Sequence, residues 1–486
     1  MFSAFSERPA VKALAKSSPC RRGAGRLAAV AAVSGLALAG LTVPAAGTTV
    51  ADTPQYRGGA SATLTDLRTH GQAVVREDGA SHRIPAGLFE MSVDNGGTLQ
   101  TYCVDVHNPT QKDAKYRETP WRGTSLNGNA GAGRIRWILQ HSYPRVNDLA
   151  QLARKAGAKS LTAEAAAAGT QVAIWRYSDK ADVRAVDPQA EKLADYLQRS
   201  ARNTPEPKAS LTLEPPAVAG RAGERIGPVT VRTGAEGVSV TPPADSASGV
   251  RVVGKDGKPV EAARDGSRLF FDVPKGSPDG MAALEVQAST TVPVGRAFTS
   301  ETRSQTQILA GSSESTVSAV ATAHWAQKGA IPALSAEKNC AERGVDIAAS
   351  NKGDAPFTFR LMGVEHTIGA GAKRTVTIPL QEDQAYDFTI TGPGGFQKRF
   401  AGVLDCRTEG SAVDVGGKAQ PASEPSPASA GGTSGGGDLA DTGGSNATPL
   451  IAGIAVVMVV VGGGAVFFLR RKNDTAGPAR AASSED

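Results

Sequence analysis

Two apolar stretches near the ends of the 486-residue chain constrain it more than any other feature. The first, residues 27–43, follows Arg21, Arg22 and Arg26 and runs into a series of small residues. An apolar run behind a basic segment, closed by small residues, reads as a secretory signal peptide over 1–51, with cleavage after Ala45 or Ala51. The paired arginines raise twin-arginine export, but the bulky residues expected after such a pair are missing. The second stretch, 449–469, is long enough to span a bilayer as a transmembrane helix. Arg470, Arg471 and Lys472 follow it and favour a cytoplasmic tail at 470–486. Whatever folds between the two stretches therefore folds outside the cell.

The charge balance supports this division. Of 53 basic and 47 acidic residues, ten and four lie in the two end segments, so 43 of each remain between them. The mature chain is neutral, and the basic character of the whole gives no argument for nucleic acid as a partner. Roughly 390 residues are left, enough for two or three domains with real cores.

The mature part divides by pattern. Residues 55–205 mix strands and helices. Residues 88–93 alternate in polarity, Asp94-Asn-Gly-Gly97 is a hairpin signal, and 98–105 reads as the return strand. Ile135, Ile138 and Leu139 have helical spacing. Asn147 is a candidate N-cap for a helix ending before Gly157, and Thr162 for one running to Tyr177. Residues 208–330 carry short strands between Gly, Pro and Asp turns and read as a β-sandwich. Residues 336–408 repeat that style and read as a second sandwich of immunoglobulin-like type. Residues 409–438 are Gly, Ser, Pro and Ala, a composition that buries no core and reads as a disordered, wall-spanning linker. Nothing calls for a cofactor or a metal.

Directly before the second apolar stretch stand Leu439, Ala440, Asp441, Thr442 and Gly443. With the span and the basic cluster, this resembles a sortase sorting signal of Gram-positive cell walls, in a Leu-Ala-x-Thr-Gly variant. The Ala, Gly and Arg content looks actinobacterial, of a Streptomyces-like kind. The resemblance implies sortase and a peptidoglycan precursor as partners. It also implies cleavage between Thr442 and Gly443, transfer of the Thr442 carbonyl to a wall amine, and only transient residence in the membrane.

Four cysteines are present, and Cys20 leaves with the signal peptide. Cys340 and Cys406 flank the third part and are placed to close it by a disulfide; a pair of buried thiols is the alternative. Cys103 is then left over. A lone cysteine on a strand is commonly an inert buried residue, and its neighbours decide the reading. Tyr102-Cys-Val-Asp105, Ile135-Arg-Trp-Ile-Leu-Gln-His-Ser-Tyr-Pro144 and Thr170-Gln-Val-Ala-Ile-Trp175 resemble, in this order, the thioester domain of Gram-positive surface adhesins. In that family the cysteine of the first motif and the glutamine of the last form an internal thioester, which here implies Cys103 and Gln171. Trp137 and Trp175 are candidates to shield it from water, with core packing as the plainer role. His107 and His141 are candidate bases, with structural roles the plainer reading.

A thiolate can attack a glutamine carboxamide and expel ammonia when a fold holds the two in contact. The product is a stored electrophile, open to an amine on an unidentified target. The expected function is a wall-anchored adhesin that binds covalently in a single turnover and is not an enzyme. Two other readings stand beside it. One is a structural wall protein with an inert Cys103. The other is a secreted cysteine hydrolase using Cys103, Asp105 and His107 or His141. The same family often has isopeptide bonds in its stalk, and Asp272 and Glu285 are candidate catalytic acids for one; strand-end or solvent-facing charge is the plainer reading.

Overall fold

A computed structural model describes residues 58–243 and 249–407. The segments read as signal peptide, linker and sorting motif, and the apolar stretch expected to cross the membrane, lie outside those residues. Among the described residues no helix is long and apolar enough to cross a membrane.

The first strands form hairpins for local reasons. Strand Ser61–Glu77 turns back through Asp78 and Gly79, both at positive φ (49° and 79°), into Ala80–Val93. Such turns match the twist of paired strands. Ala80–Val93 then pairs with Thr98–Cys103 across the expected turn at 94–97. The return strand ends at Cys103 rather than at residue 105, because Asp105 turns the chain by accepting the backbone N–H groups of His107 (2.9 Å) and Asn108 (3.3 Å).

Beyond Cys103 the sheet departs from the expected domain division. Thr98–Cys103 pairs with Gln307–Ser312, which pairs with Ala297–Ser300, which pairs with Lys115–Thr119, which returns to Ser61–Glu77. Six strands thus close a ring, and Val183–Ala185 adds a seventh at its edge. Two ring strands come from the stretch read as part of the 208–330 sandwich. Nothing in the local sequence of 307–312 says which sheet it joins.

Four helices cover one side of the ring: α1 (Ala132–His141), α2 (Leu149–Ala156), α3 (Ala163–Ser178) and α4 (Pro188–Ser200). Asp148, not Asn147, caps α2 and accepts the Gln151 N–H at 2.8 Å, while Gly157 ends it at φ 66°. Thr162 caps α3. Helix α4 was not expected, although Asp187 as cap and Pro188 at the first position are a readable start.

Residues 211–291 and 314–326 make the sandwich. One sheet contains Arg251–Val253, Arg268–Asp272, Arg225–Thr233 and Leu211–Glu214. The other contains Ala262–Ala263, Val238–Thr241, Gly280–Thr291, Glu314–Ala326 and Ala217–Arg221. Val229, Val231, Phe271, Leu284, Val286 and Val317 lie in its core, which continues into Leu64, Met91, Leu99 and Phe298 of the ring. Asp272 pairs with Arg251 at 2.7 Å and Glu285 accepts Gln287 Nε2 at 2.9 Å.

The third part has its own core of Ile347, Phe357, Ile390 and Phe400. Strands Pro332–Asn339, Gly344–Asn351 and Lys373–Pro379 form a sheet, beside the hairpins Phe357–Leu361/Val364–Ile368 and Ala385–Thr391/Gln397–Val403. The Cys340–Cys406 disulfide is present and spans 66 residues. A loop of that length gives about 4 kcal/mol. Replacing both cysteines by serine should lower the unfolding free energy of this part by about that amount, read by denaturant unfolding followed at its aromatic residues.

The excursion from ring to sandwich and back is fastened at Glu118. Its carboxylate accepts Ala60 N–H (3.1 Å), Ser210 N–H (2.9 Å), Ser210 Oγ–H (2.5 Å) and Arg296 Nε–H (2.7 Å). Arg296 also reaches Glu206 Oε1 at 2.7 Å. The Glu118 side chain is fully buried and that of Arg296 is 5% exposed. Gly59 is required here, since a Cβ would stand 2.5 Å from Glu118 Oε2. Removing one partner of a buried, hydrogen-bonded pair costs about 3–5 kcal/mol, and an exposed pair is worth under about 1 kcal/mol. Glu118→Ala should therefore lower stability several-fold more than Glu90→Ala, which breaks the exposed Arg68–Glu90 pair. Urea unfolding of the two variants checks this.

Candidate functional site

The site is built where a strand runs out of partners. Ala80–Val93 pairs with Thr98–Cys103 only as far as Phe89 opposite Thr101. On the other edge Cys103 faces Gln307, and the next ladder bond there runs from Val104 N–H to Thr306 O (3.1 Å). The N–H and C=O of Cys103 therefore point toward the side left open beyond Phe89, where buried polar groups must find partners.

Gln171 supplies them. Cys103 N–H donates to Gln171 Oε1 at 3.0 Å, and Gln171 Nε2 donates to Cys103 O at 2.8 Å. The carboxamide thus continues the sheet as one more peptide unit. Gln171 is fully buried and Cys103 is 3% exposed. Helix α3 reaches this depth because its middle is small: Ala166, Ala167, Ala168 and Gly169 are all buried. At Gly169 a Cβ would meet the Ala190 carbonyl of α4 at 2.5 Å, so glycine sets the close packing of the two helices.

The sulfur has its own partners. Gln307 Nε2 donates to Cys103 Sγ at 3.3 Å, and Thr110 Oγ1 lies 3.5 Å from it. Burial pushes the Cys103 thiol up to about 12, with the Thr110 and Gln307 hydrogen bonds pulling the other way and the Asp105 and Asp179 charges adding to the rise. Burial also raises the neighbouring Tyr102 phenol, which donates to Tyr143 O at 2.8 Å.

The remaining expected residues are spread out. Trp175 lies one turn after Gln171 in the same apolar cluster as Cys103 and is buried; its Nε1 has no partner among the described residues. Trp137 instead stacks on His141 (3.9 Å between centroids) in an open groove shared with Tyr196, Arg199 and Arg202. His141 Nδ1 lies 2.7 Å from Trp137 O, and His107 Nε2 lies 3.2 Å from Glu77 Oε1. Neither histidine is among the hydrogen-bond partners of the sulfur, as a cysteine hydrolase would require. Sequence reasoning missed Thr110 and Gln307. Gln307 stands 204 residues from Cys103, and no local signal names the strand it pairs with.

Among the described residues, the one group able to gather around a cation is Glu382, Asp383 and Asp405. Glu382 Oε1 already accepts the N–H groups of Cys406 (2.5 Å) and Arg407 (2.9 Å), and Lys338 supplies positive charge to Asp405. Burial pushes Asp405 up to about 7, the Lys338 charge opposes this, and its Oδ2 accepts Thr306 Oγ1–H at 3.2 Å.

Residues 100–203 match the family model of the thioester domain. Residues 330–403 match that of the C-terminal domain of bacterial phospholipase C. No curated protein matches the chain. Several solved structures resemble it, three of them as follows. The Bacillus anthracis TIE protein is 14% identical, with 72% of this chain and 80% of that one covered and a TM-score of 0.26. The thioester domain of the Enterococcus faecium TIE86 protein is 15% identical, covering 55% and 97% with a TM-score of 0.27. The N-terminal thioester domain of a Clostridium perfringens surface protein is 18% identical, covering 32% and 89% with a TM-score of 0.21. TM-scores at this level carry no inference to this chain.

A buried neutral thiol should be slow to react. In a Gln171→Ala chain, which cannot cross-link, iodoacetamide should modify Cys103 at pH 8 at least a hundredfold more slowly in the folded state than in urea. The sign follows from linkage: a thiol raised from 9 to about 12 contributes stability below pH 9 and loses it as pH climbs toward 12. Equal rates with and without urea would contradict this environment.

Proposed function

We propose that the chain is a surface protein that binds targets covalently through a thioester between Cys103 Sγ and Gln171 Cδ. The observation that carries this reading is the double hydrogen bond between the Gln171 carboxamide and the Cys103 backbone. It holds the electrophilic carbon beside the nucleophile's own residue, which gives the large effective concentration an unactivated amide needs.

The two bonds have different parts in the chemistry. As sulfur adds to Cδ, negative charge gathers on Oε1, where the Cys103 N–H already points. The departing nitrogen is Nε2, held by the Cys103 carbonyl. The S–C bond forms, the C–N bond breaks, and the thiol proton leaves with the nitrogen as ammonia. A target amine later attacks Cδ, a new amide forms, and the sulfur takes a proton and becomes a thiol again. Each chain reacts once, so this is capture rather than enzymatic turnover. Trp175, buried on the turn after Gln171, would help to exclude water.

Location and anchoring rest on sequence alone. In this proposal a signal peptide exports the chain, and sortase cuts between Thr442 and Gly443 and joins Thr442 to a peptidoglycan precursor. The sandwich and the third part then act as a stalk of immunoglobulin-like character on an actinobacterial wall. The partner at the free end is any surface that offers an amine.

Intact mass tests the central step. The mature chain should be lighter than its sequence by one ammonia. Methylamine should add its own mass to wild type and to neither Cys103→Ala nor Gln171→Ala. Full mass with a titratable thiol in fresh protein would favour the reading in which Cys103 is an inert structural residue.

A further inference from the structure

The amine that attacks Cδ must expel the Cys103 sulfur, and formation of the thioester must pass through the same sulfur carrying charge. In an apolar pocket both steps are slow unless something receives that charge. Two side chains touch the sulfur, and each carries a hydrogen that it can give to a sulfur anion. Gln307 is fully buried, and its Oε1 accepts Thr101 Oγ1–H at 3.0 Å, which leaves Nε2–H directed at Sγ. Thr110 Oγ1 accepts Gln305 Nε2–H at 2.6 Å, which leaves the single hydroxyl proton for Sγ. A hydroxyl has one proton to give. Gln305 and Gln307 bracket Thr306, whose carbonyl takes the Val104 N–H, so the register of one strand sets both donors.

We propose that Gln307 and Thr110 form a hole for the sulfur anion, stabilising Cys103 both as the nucleophile that makes the thioester and as the leaving group that releases it. This rests on the thioester reading and deepens it. The Cys103 N–H serves the oxygen of the tetrahedral intermediate; Gln307 Nε2–H and Thr110 Oγ1–H serve its sulfur. Hydrogen bonds to a charged acceptor are the stronger kind and form fully only as charge develops. When Cδ–S breaks, the electron pair stays on sulfur between these donors until a proton from the incoming amine reaches it. Gln307 lies outside the 100–203 family match and arrives with the hairpin inserted between the sandwich strands Gly280–Thr291 and Glu314–Ala326. The reactive unit accordingly extends beyond the matched segment.

The test is the rate of methylamine uptake by the whole mature chain, followed by intact mass. Thr110→Val and Gln307→Met each remove one donor at similar volume and should slow uptake at least tenfold. Thr110→Ser keeps the hydroxyl and should stay within about threefold of wild type, a distinction that a packing role would not make. A variant that melts like wild type yet never loses ammonia counts with the slow ones, because formation uses the same anion. Wild-type rates in Thr110→Val and Gln307→Met, in chains that have lost ammonia, would overturn the sulfur hole while leaving the thioester intact. Full mass in wild type is a different result and would overturn the thioester itself.

Discussion

The pairing of one side-chain amide with one strand end organises the molecule. Where Ala80–Val93 ceases to pair with Thr98–Cys103, Cys103 keeps an N–H and a C=O that no strand satisfies, and Gln171 fills the gap. A buried backbone pair left open costs stability, so the fold has a reason to seat the carboxamide there before any chemistry occurs. The same placement lines up a carbonyl, a leaving nitrogen and a sulfur. Stability and the proposed reactivity draw on one arrangement, and small residues in the middle of α3 make it sterically possible.

The arrangement depends on chain that returns from far away. The ring closes only when 297–312 comes back from the sandwich, and that return carries the residue that touches the sulfur. Glu118 fastens the departure and the return together through Ser210 and Arg296. Thr306 then meets Asp405 beside the disulfide-closed third part. The parts read as separate beads along the chain are therefore knitted around the first, through polar groups that are buried and mutually satisfied.

Much of this was legible in the sequence, and the limits have physical causes. Local signals worked where the local chain decides: the turn at 94–97, the cap at Thr162, the stop at Gly157, and the short strands within 208–330 and 336–408. Cys103 and Gln171 were named through the family resemblance of the motifs around them, and the fold brings the two together. Asn147 was read as the cap in place of its neighbour Asp148, and both residue types cap well. Residues 297–312 were left inside the sandwich because nothing in the local sequence names the sheet that a strand joins. Gln307 and Thr110 stayed invisible for the same reason, and Trp137, a candidate shield for the thioester, faces an open groove. The sorting motif and the apolar stretch behind it lie outside the described residues, so the proposed wall attachment rests on sequence.

The most direct measurement is a high-resolution crystal structure of the freshly purified mature chain, read at one bond. The account predicts continuous density from Cys103 Sγ to Gln171 Cδ, with no nitrogen beside the Cys103 carbonyl and Gln171 Oε1 still accepting the Cys103 N–H. A complete carboxamide and a separate thiol at van der Waals distance would contradict it.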